Sequence, residues 1–244
     1  MHVAPNGRQV GRVVGLWRYP VKSMGGEALS EVDVSWHGFA GDRRWAFIRN
    51  GVARSGFPWL TLRERGDLSH FLPSFVDPDH PDDSALIVRT PDGADHQIDA
   101  PALAAHLAPD GARLIKQDRG IFDAFPLSLV STRTLTQLSD SVGLPLDVQR
   151  FRPNILVDVL ADEGDSPEDA WVGSVLRLGA MRMRVDKRDG RCVVITIDPV
   201  TTVRNPLVLK TVARDRQGFV GVYGSTVEPG RVAVHDAVFI ESTA

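Results

Sequence analysis

The chain contains one cysteine, Cys192, within KRDGRCVVITIDP at 187–199. Lys187, Arg188, Gly190 and Arg191 lead into it, and Val193-Val194-Ile195-Thr196-Ile197 follows. That β-branched run, bounded by Gly190 and Pro199, predicts a strand. A turn then delivers one thiol to the mouth of a buried strand, beside positive charge. Such surroundings favour the thiolate, the form that ligates metals and attacks electrophiles. A lone cysteine beside valines and isoleucines also suits an inert core position. This stretch alone leaves both readings open.

Three other places carry chemistry. In VKSMGGE, Lys22 and Ser23 sit at a turn ending in Gly25-Gly26. A lysine, a hydroxyl and exposed backbone N–H groups suit a phosphate. The glycine spacing of a Walker A loop is missing, and a solvated turn fits the same residues. In GDRRW, Arg43 enters a strand at Trp45, a placement suited to bidentate contact with an anion. Pairing with Asp42 or another surface carboxylate is the simpler fate. In FRPN, Arg152 and Asn154 flank Pro153, which has no N–H to donate and so implies an edge or bulge in the surrounding strand. From Arg177 to Arg191 six basic residues face Asp186 and Asp189. Arg182 and Arg184 alternate with Met181, Met183 and Val185, so this positive patch lies on one face of a strand that abuts Cys192.

The elements that must position these residues are mostly strands. Residues 10–19, Ala28–Ser35, Trp45–Ile48, Ala85–Arg89, Gln97–Asp99, Phe219–Tyr223, Arg231–Val234 and Ala237–Ile240 have strand character, with turns at roughly 8–12-residue intervals. Asn50-Gly51 predicts a hairpin into Val52-Ala53-Arg54. Helices are expected at Pro101–Leu107, from Ser131 or Thr132 to Gly143, and at Pro206–Val212, with a helical turn near residues 62–72. The pattern is mainly β with a few short helices, an α+β chain built as a barrel or sandwich. Two closely packed halves meet between residues 100 and 120.

Composition excludes several classes. At 244 residues the chain can bury one large core or two small ones. A formal charge of -3 argues against nucleic acid as a partner. One cysteine excludes an internal disulfide framework and fits a reducing compartment. No apolar run approaches the roughly 20 residues needed to span a bilayer. The expectation is a cytoplasmic protein without membrane or nucleic-acid partners. Only four of the 28 basic residues are lysines: Lys22, Lys116, Lys187 and Lys210.

Five stretches together resemble one family. YPVKS, GDRRW at 41–45, FRPN at 151–154, EDAW at 168–171 and GRC at 190–192 follow the order and approximate spacing of MOSC-domain proteins. The chain is most similar to the subgroup with an N-terminal β-barrel domain, which includes the amidoxime-reducing components and their bacterial relatives. The closing GVYGSTVEPGRVAVHD resembles that family's last strands. The resemblance covers nearly the whole chain. It implies a MOSC-type β-barrel at 106–244 packed against an N-terminal β-barrel-like domain at 1–105. It also implies a molybdenum–molybdopterin cofactor bound between them, with Cys192 as the metal ligand. Lys22, Ser23, Arg43, Arg152, Asn154 and, by position, Ser131 would hold the pterin, together with Arg191 of the cysteine motif.

The activity so implied is reduction of N-hydroxylated small molecules, substrate oxygen passing to reduced metal. Electrons would come from a separate ferredoxin-, cytochrome- or flavoprotein-type donor, which the arginine face before Cys192 would dock. Two departures bear on the substrate pocket. Gly190 stands where the family's reductases commonly carry serine, and DPVTTVRN replaces a DPDTG-like segment. Two other functions fit the same residues: a sulfur carrier using a Cys192 persulfide, and a cofactor-binding module without turnover.

Overall fold

The computed structural model describes residues 7–52 and 55–241. The elements in order are β1 (Arg8–Arg18), β2 (Glu27–Leu29), β3 (Glu31–Ser35), β4 (Gly38–Phe39), β5 (Trp45–Arg49), β6 (Leu72–Phe75), β7 (Leu86–Arg89) and β8 (Asp95–Gln97). Then come α1 (Pro101–Leu107), β9 (Ala112–Lys116), β10 (Leu127–Ser131), α2 (Thr132–Val142), β11 (Ile155–Val159), α3 (Pro167–Ala170), β12 (Val175–Leu178) and β13 (Met181–Gly190). The chain ends with α4 (Pro206–Arg216), β14 (Phe219–Glu228), β15 (Gly230–Ala233) and β16 (Ala237–Ile240).

Seven strands close a barrel in the order β11-β10-β14-β13-β12-β16-β1, and β11 pairs back onto β1. Closure removes the exposed sheet edges that an open sheet would present. The closing strand comes from the opposite end of the chain. β1 is antiparallel to both β11 and β16, with Val13 opposite Val157 and Arg12 opposite Ala237. β3 likewise pairs with β15. Val10, Val13, Leu16, Val32, Val34 and Phe39 therefore share one buried core with Leu127, Ile155, Met183 and Val222. A second core lies under β5–β9 and α1, around Phe47, Leu68, Phe71, Val88 and Leu103. A third joins α2 and α4 to the barrel through Leu138, Val208 and Val220.

Local sequence explains the helices. α1 has the predicted bounds and starts on Pro101, whose missing N–H costs nothing at a helix start. α2 is capped by the Ser131 side chain, which accepts from the Thr134 N–H, and it ends on Gly143 at φ 79°. α4 reaches Arg216, past the expected Val212.

Four strand expectations and one expectation about surface charge need correction. Val193–Thr196 is a 3-10 turn. A strand would put Ile195 and Ile197 on one face. The tighter turn sends Ile195 into the core between α2 and α4, and Ile197 into the N-terminal core. The strand expected to run through Arg152-Pro153-Asn154 begins only after it, at Ile155, with a 3-10 turn at Val148–Arg150 before it. Ala28–Ser35 breaks at Ser30 into β2, on the barrel, and β3, which pairs elsewhere. β5 has β9 as its partner, not a hairpin strand after Gly51. Val52 is not in a strand, and Ala53 and Arg54 lie outside the described residues. The arginine face is also not free. Arg182 pairs with Glu228 and Glu241, and Arg184 with Asp186, so that strand presents little net charge.

Candidate functional site

A cleft of about 390 Å³ opens between the barrel and the N-terminal segments. Lys22, Ser23 and Arg43 reach it from the connections around β1 and β5. Arg152 and Asn154 enter from the break before β11, and Arg191 and Cys192 from the end of β13. Residues from four separate stretches thus meet in one place. Eight lysines and arginines line the cleft against two aspartates, Asp123 and Asp189. A concavity of this size and charge suits an anionic small molecule.

Its backbone is unusual. Among the described residues six non-glycines take left-handed φ, and three of them line the cleft: Ser23 at 69°, Arg43 at 51° and Arg152 at 53°. Such conformations cost free energy and persist where surrounding structure enforces them, often at functional sites.

Asn154 is the hub of that enforcement. It is fully buried; its Nδ2 donates to the Trp17 carbonyl and to Asp42, each at 3.2 Å. Its Oδ1 accepts from the Ser128 hydroxyl and N–H. The amide is consumed internally, so Asn154 holds the cleft wall. Arg43 pairs with buried Asp42, as the simpler reading of GDRRW has it, and also donates to the Arg152 carbonyl at 3.1 Å. The guanidinium groups of Arg43 and Arg152 lie 4.7 and 4.3 Å from the Tyr19 ring centroid. Cation–π attraction partly replaces their lost water.

Arg152 is left incomplete. Its Nη2 is buried and has no hydrogen-bond partner. Burial lowers its pKa to about 10, and neighbouring Arg43 pushes the same way. A buried cation donor without an acceptor is costly unless a ligand supplies one. Lys22, 7% exposed, donates to Asp123 at 2.6 Å and to the Ile121 carbonyl at 3.1 Å. Burial lowers its pKa, and Asp123 opposes the shift.

Cys192 is half-buried and opens the 3-10 turn Val193–Thr196. The cation beside its sulfur is not one of its sequence neighbours. Lys187 stacks on Phe125, and Arg188 pairs with Asp169. Arg191 donates to the Val220 and Phe151 carbonyls and pairs with Asp189 at 2.8 Å. The sulfur instead meets Arg63, whose Nη2 is 3.5 Å away. Arg63, Asp123, Asp189 and Tyr223 are cleft residues that sequence reasoning passed over. Only Asp189 carried a signal, as an acid three residues before the cysteine in a basic run.

Ser131 stands apart from the cleft. Its hydroxyl is fully buried, donates to Glu168 at 2.7 Å and accepts from the Thr134 N–H at 3.1 Å. The serine of β10 that lines the cleft is Ser128, three residues earlier on the same strand. Among the described residues no group of three or more His, Cys, Asp or Glu side chains is placed so that it could hold a metal ion by itself. No described helix is long and apolar enough to cross a membrane.

Fold and cleft together define a closed β-barrel protein with an extended N-terminal region and a cationic, cysteine-bearing cleft at their junction. The chain belongs to the MOSC-domain family: the MOSC domain model matches residues 110–239, and the MOSC N-terminal beta barrel domain model matches residues 10–122. Human (Homo sapiens) mitochondrial amidoxime-reducing component 1 is 24% identical over 300 residues, spanning 96% of this chain and 84% of that protein. Molybdenum cofactor sulfurase from Drosophila erecta is 30% identical over 248 residues, spanning 86% of this chain but only 31% of the sulfurase. In fold, the YuaD protein of Bacillus subtilis superposes with a TM-score of 0.52 at 15% identity, over 96% of this chain and 97% of that one.

Proposed function

We propose that the protein is a molybdenum-cofactor-dependent oxidoreductase that reduces N-hydroxylated small molecules, with electrons from a separate ferredoxin-, cytochrome- or flavoprotein-type donor. The observation that carries this reading is the unpartnered, buried Nη2 of Arg152 in a cation-lined cleft that also presents Cys192. The residues fit the cofactor. Lys22, Ser23, Arg43 and Arg152 supply cationic and hydroxyl donors for its phosphate. The Cys192 thiolate is a soft ligand of the kind that molybdenum in a dithiolene cofactor accepts. When bound, the cofactor would supply the two-electron chemistry of the reduction. The chain's own contribution is to hold the anion, shield it between barrel and N-terminal segments, and present one sulfur at the rim. The likeness to an amidoxime-reducing component supports the reductive direction.

The test is elemental and pterin analysis of protein made in a cofactor-competent host, wild type against Cys192→Ser. Stoichiometric pterin with molybdenum in the wild type, and a reduced molybdenum content in the variant, is the expected result. Absence of both from the wild type overturns the reading.

A second reading rests on the Arg63 guanidinium beside a half-buried sulfur and on the sulfurase likeness. It is a sulfur carrier with a Cys192 persulfide, whose negative charge Arg63 would stabilise. Intact-mass analysis showing a reducible sulfur adduct on Cys192 would favour it.

A further inference from the structure

We infer that Asp189 is the proton-supplying residue of the cleft, acting through the Tyr223 hydroxyl. This rests on the reductase reading above. Asp189 stands at an inward position of β13, three residues before Cys192. The β13–β14 ladder changes register there: Arg188 faces Val222, but Gly190 faces Phe219. The slack is taken up near Gly221 at φ 74°, where a Cβ would meet the Leu129 carbonyl at 2.6 Å. Register irregularities of this kind re-aim side chains beside active sites. Here the irregularity accompanies a carboxyl that is buried again after exposed Lys187, as Met181, Met183 and Val185 are before it.

The carboxyl is 2% exposed. One oxygen pairs with Arg191 Nη2 at 2.8 Å, and the other, Oδ1, has no hydrogen-bond partner. Tyr223, on β14, lines the same cleft, stacks on Phe125 and holds its hydroxyl beside the carboxyl. The other charges facing Asp189 are Arg43, from the connection before β5, and Asp123, from the connection before β10. Burial pushes the Asp189 carboxyl up to about 6, against the pull of Arg191, Tyr223 and Arg43. An acid near neutrality at a cleft wall suits proton transfer. The neighbouring guanidinium groups do not give up protons at neutral pH, and Lys22 is tied to Asp123.

Reduction of a hydroxylamine-type substrate needs such a group. The N–O bond breaks, two electrons arrive from the donor protein, and two protons are taken up. One completes the amine and one turns the departing hydroxyl into water. In the step assigned here, the Tyr223 hydroxyl gives its proton to the departing oxygen as it receives the Asp189 proton. Asp189 is then recharged from water.

The first measurement uses cofactor-free protein. Carboxyl 13C resonances of wild type and Asp189→Asn, followed against pH, isolate the Asp189 titration; a midpoint near pH 6 is expected, and an ordinary carboxyl midpoint near pH 4 overturns the inference. The second uses cofactor-loaded protein, a reduced viologen dye and an N-hydroxylated amidine. Asp189→Asn and Tyr223→Phe should each lower kcat by about 100-fold with KM and molybdenum content held, and Asp189→Glu should restore part of the rate with a displaced pH profile. An Asn variant with unchanged kcat and pH profile, or one that loses molybdenum in step with activity, overturns it. Loaded wild type that reduces no N-hydroxylated compound sinks the reductase reading instead, and the carboxyl titration still reports on Asp189 alone.

Discussion

The Arg63 guanidinium stands 3.5 Å from the Cys192 sulfur, across 129 residues of sequence. It arrives from the N-terminal part of the chain, held by its stack on Phe57 at 5.0 Å. A cation at that distance attracts the negative charge that the sulfur carries as it attacks an electrophile. Arg63 is exposed, so the effect is under about 1 kcal/mol, or roughly fivefold. In cofactor-free protein, Arg63→Gln should slow alkylation of Cys192 by iodoacetamide a few-fold at neutral pH, and Arg63→Lys should slow it less. Equal rates in all three proteins would remove Arg63 from the chemistry of the sulfur.

Arg152 should trade stability against binding. Its buried, unpartnered Nη2 is a liability in the cofactor-free protein and a donor when an anion is present. Replacing a buried charge by an apolar side chain of similar volume is often neutral or stabilising, by about 1 kcal/mol or more. Arg152→Met should therefore melt no lower than wild type without cofactor, and by this estimate about 2–4 °C higher. The same variant should retain little pterin. A variant that melts well below wild type would mean that Arg152 is a structural brace.

Much of the framework was legible in the sequence, and the reasons are local. Ser131 and Gly143 bound α2 because capping depends on a few adjacent residues. β1, β7 and β16 followed from alternation and turn residues. Four motif stretches also pointed to one cleft, since each breaks a regular element with donor-bearing side chains. What stayed hidden was long-range. Nothing in GVARSGFPWLTLR tells that Arg63 will reach Cys192. The β-branched run after Cys192 favours a strand locally, but its two isoleucines serve different cores, and tertiary packing decided the outcome. The arginines of β13 looked like a docking face because their partners Glu228 and Glu241 lie 46 and 59 residues on.

Ser131 should act on stability and not on the cofactor. Its hydroxyl both caps α2 and hydrogen-bonds the fully buried Glu168, whose other oxygen has no partner. Losing the cap costs about 1 kcal/mol. Depriving a buried carboxylate of its donor costs a further 1–3 kcal/mol, roughly. Ser131→Ala should lower the urea midpoint accordingly, while pterin content per folded molecule stays at the wild-type level. Loss of pterin without loss of stability would restore Ser131 to the cofactor contacts that the family resemblance implies.

Asp189 should leave a signature in the pH dependence of folding. Its pKa is raised from 3.8 to about 6 in the fold, mainly by burial. Between those values the native state holds more protons at this site than the unfolded state, so stability falls as pH rises through the window. A shift of about two units corresponds to about 3 kcal/mol, absent below pH 4 and fully expressed above pH 6. Asparagine cannot titrate, so Asp189→Asn should lack this loss whatever constant offset it introduces by weakening the Arg191 pair. Urea unfolding at pH 4 and pH 7 should therefore show the variant gaining on wild type by about 3 kcal/mol between the two. A constant difference across that range would mean that Asp189 is ionised throughout, held so by Arg191, and that the barrel end carries its buried charge without titrating it.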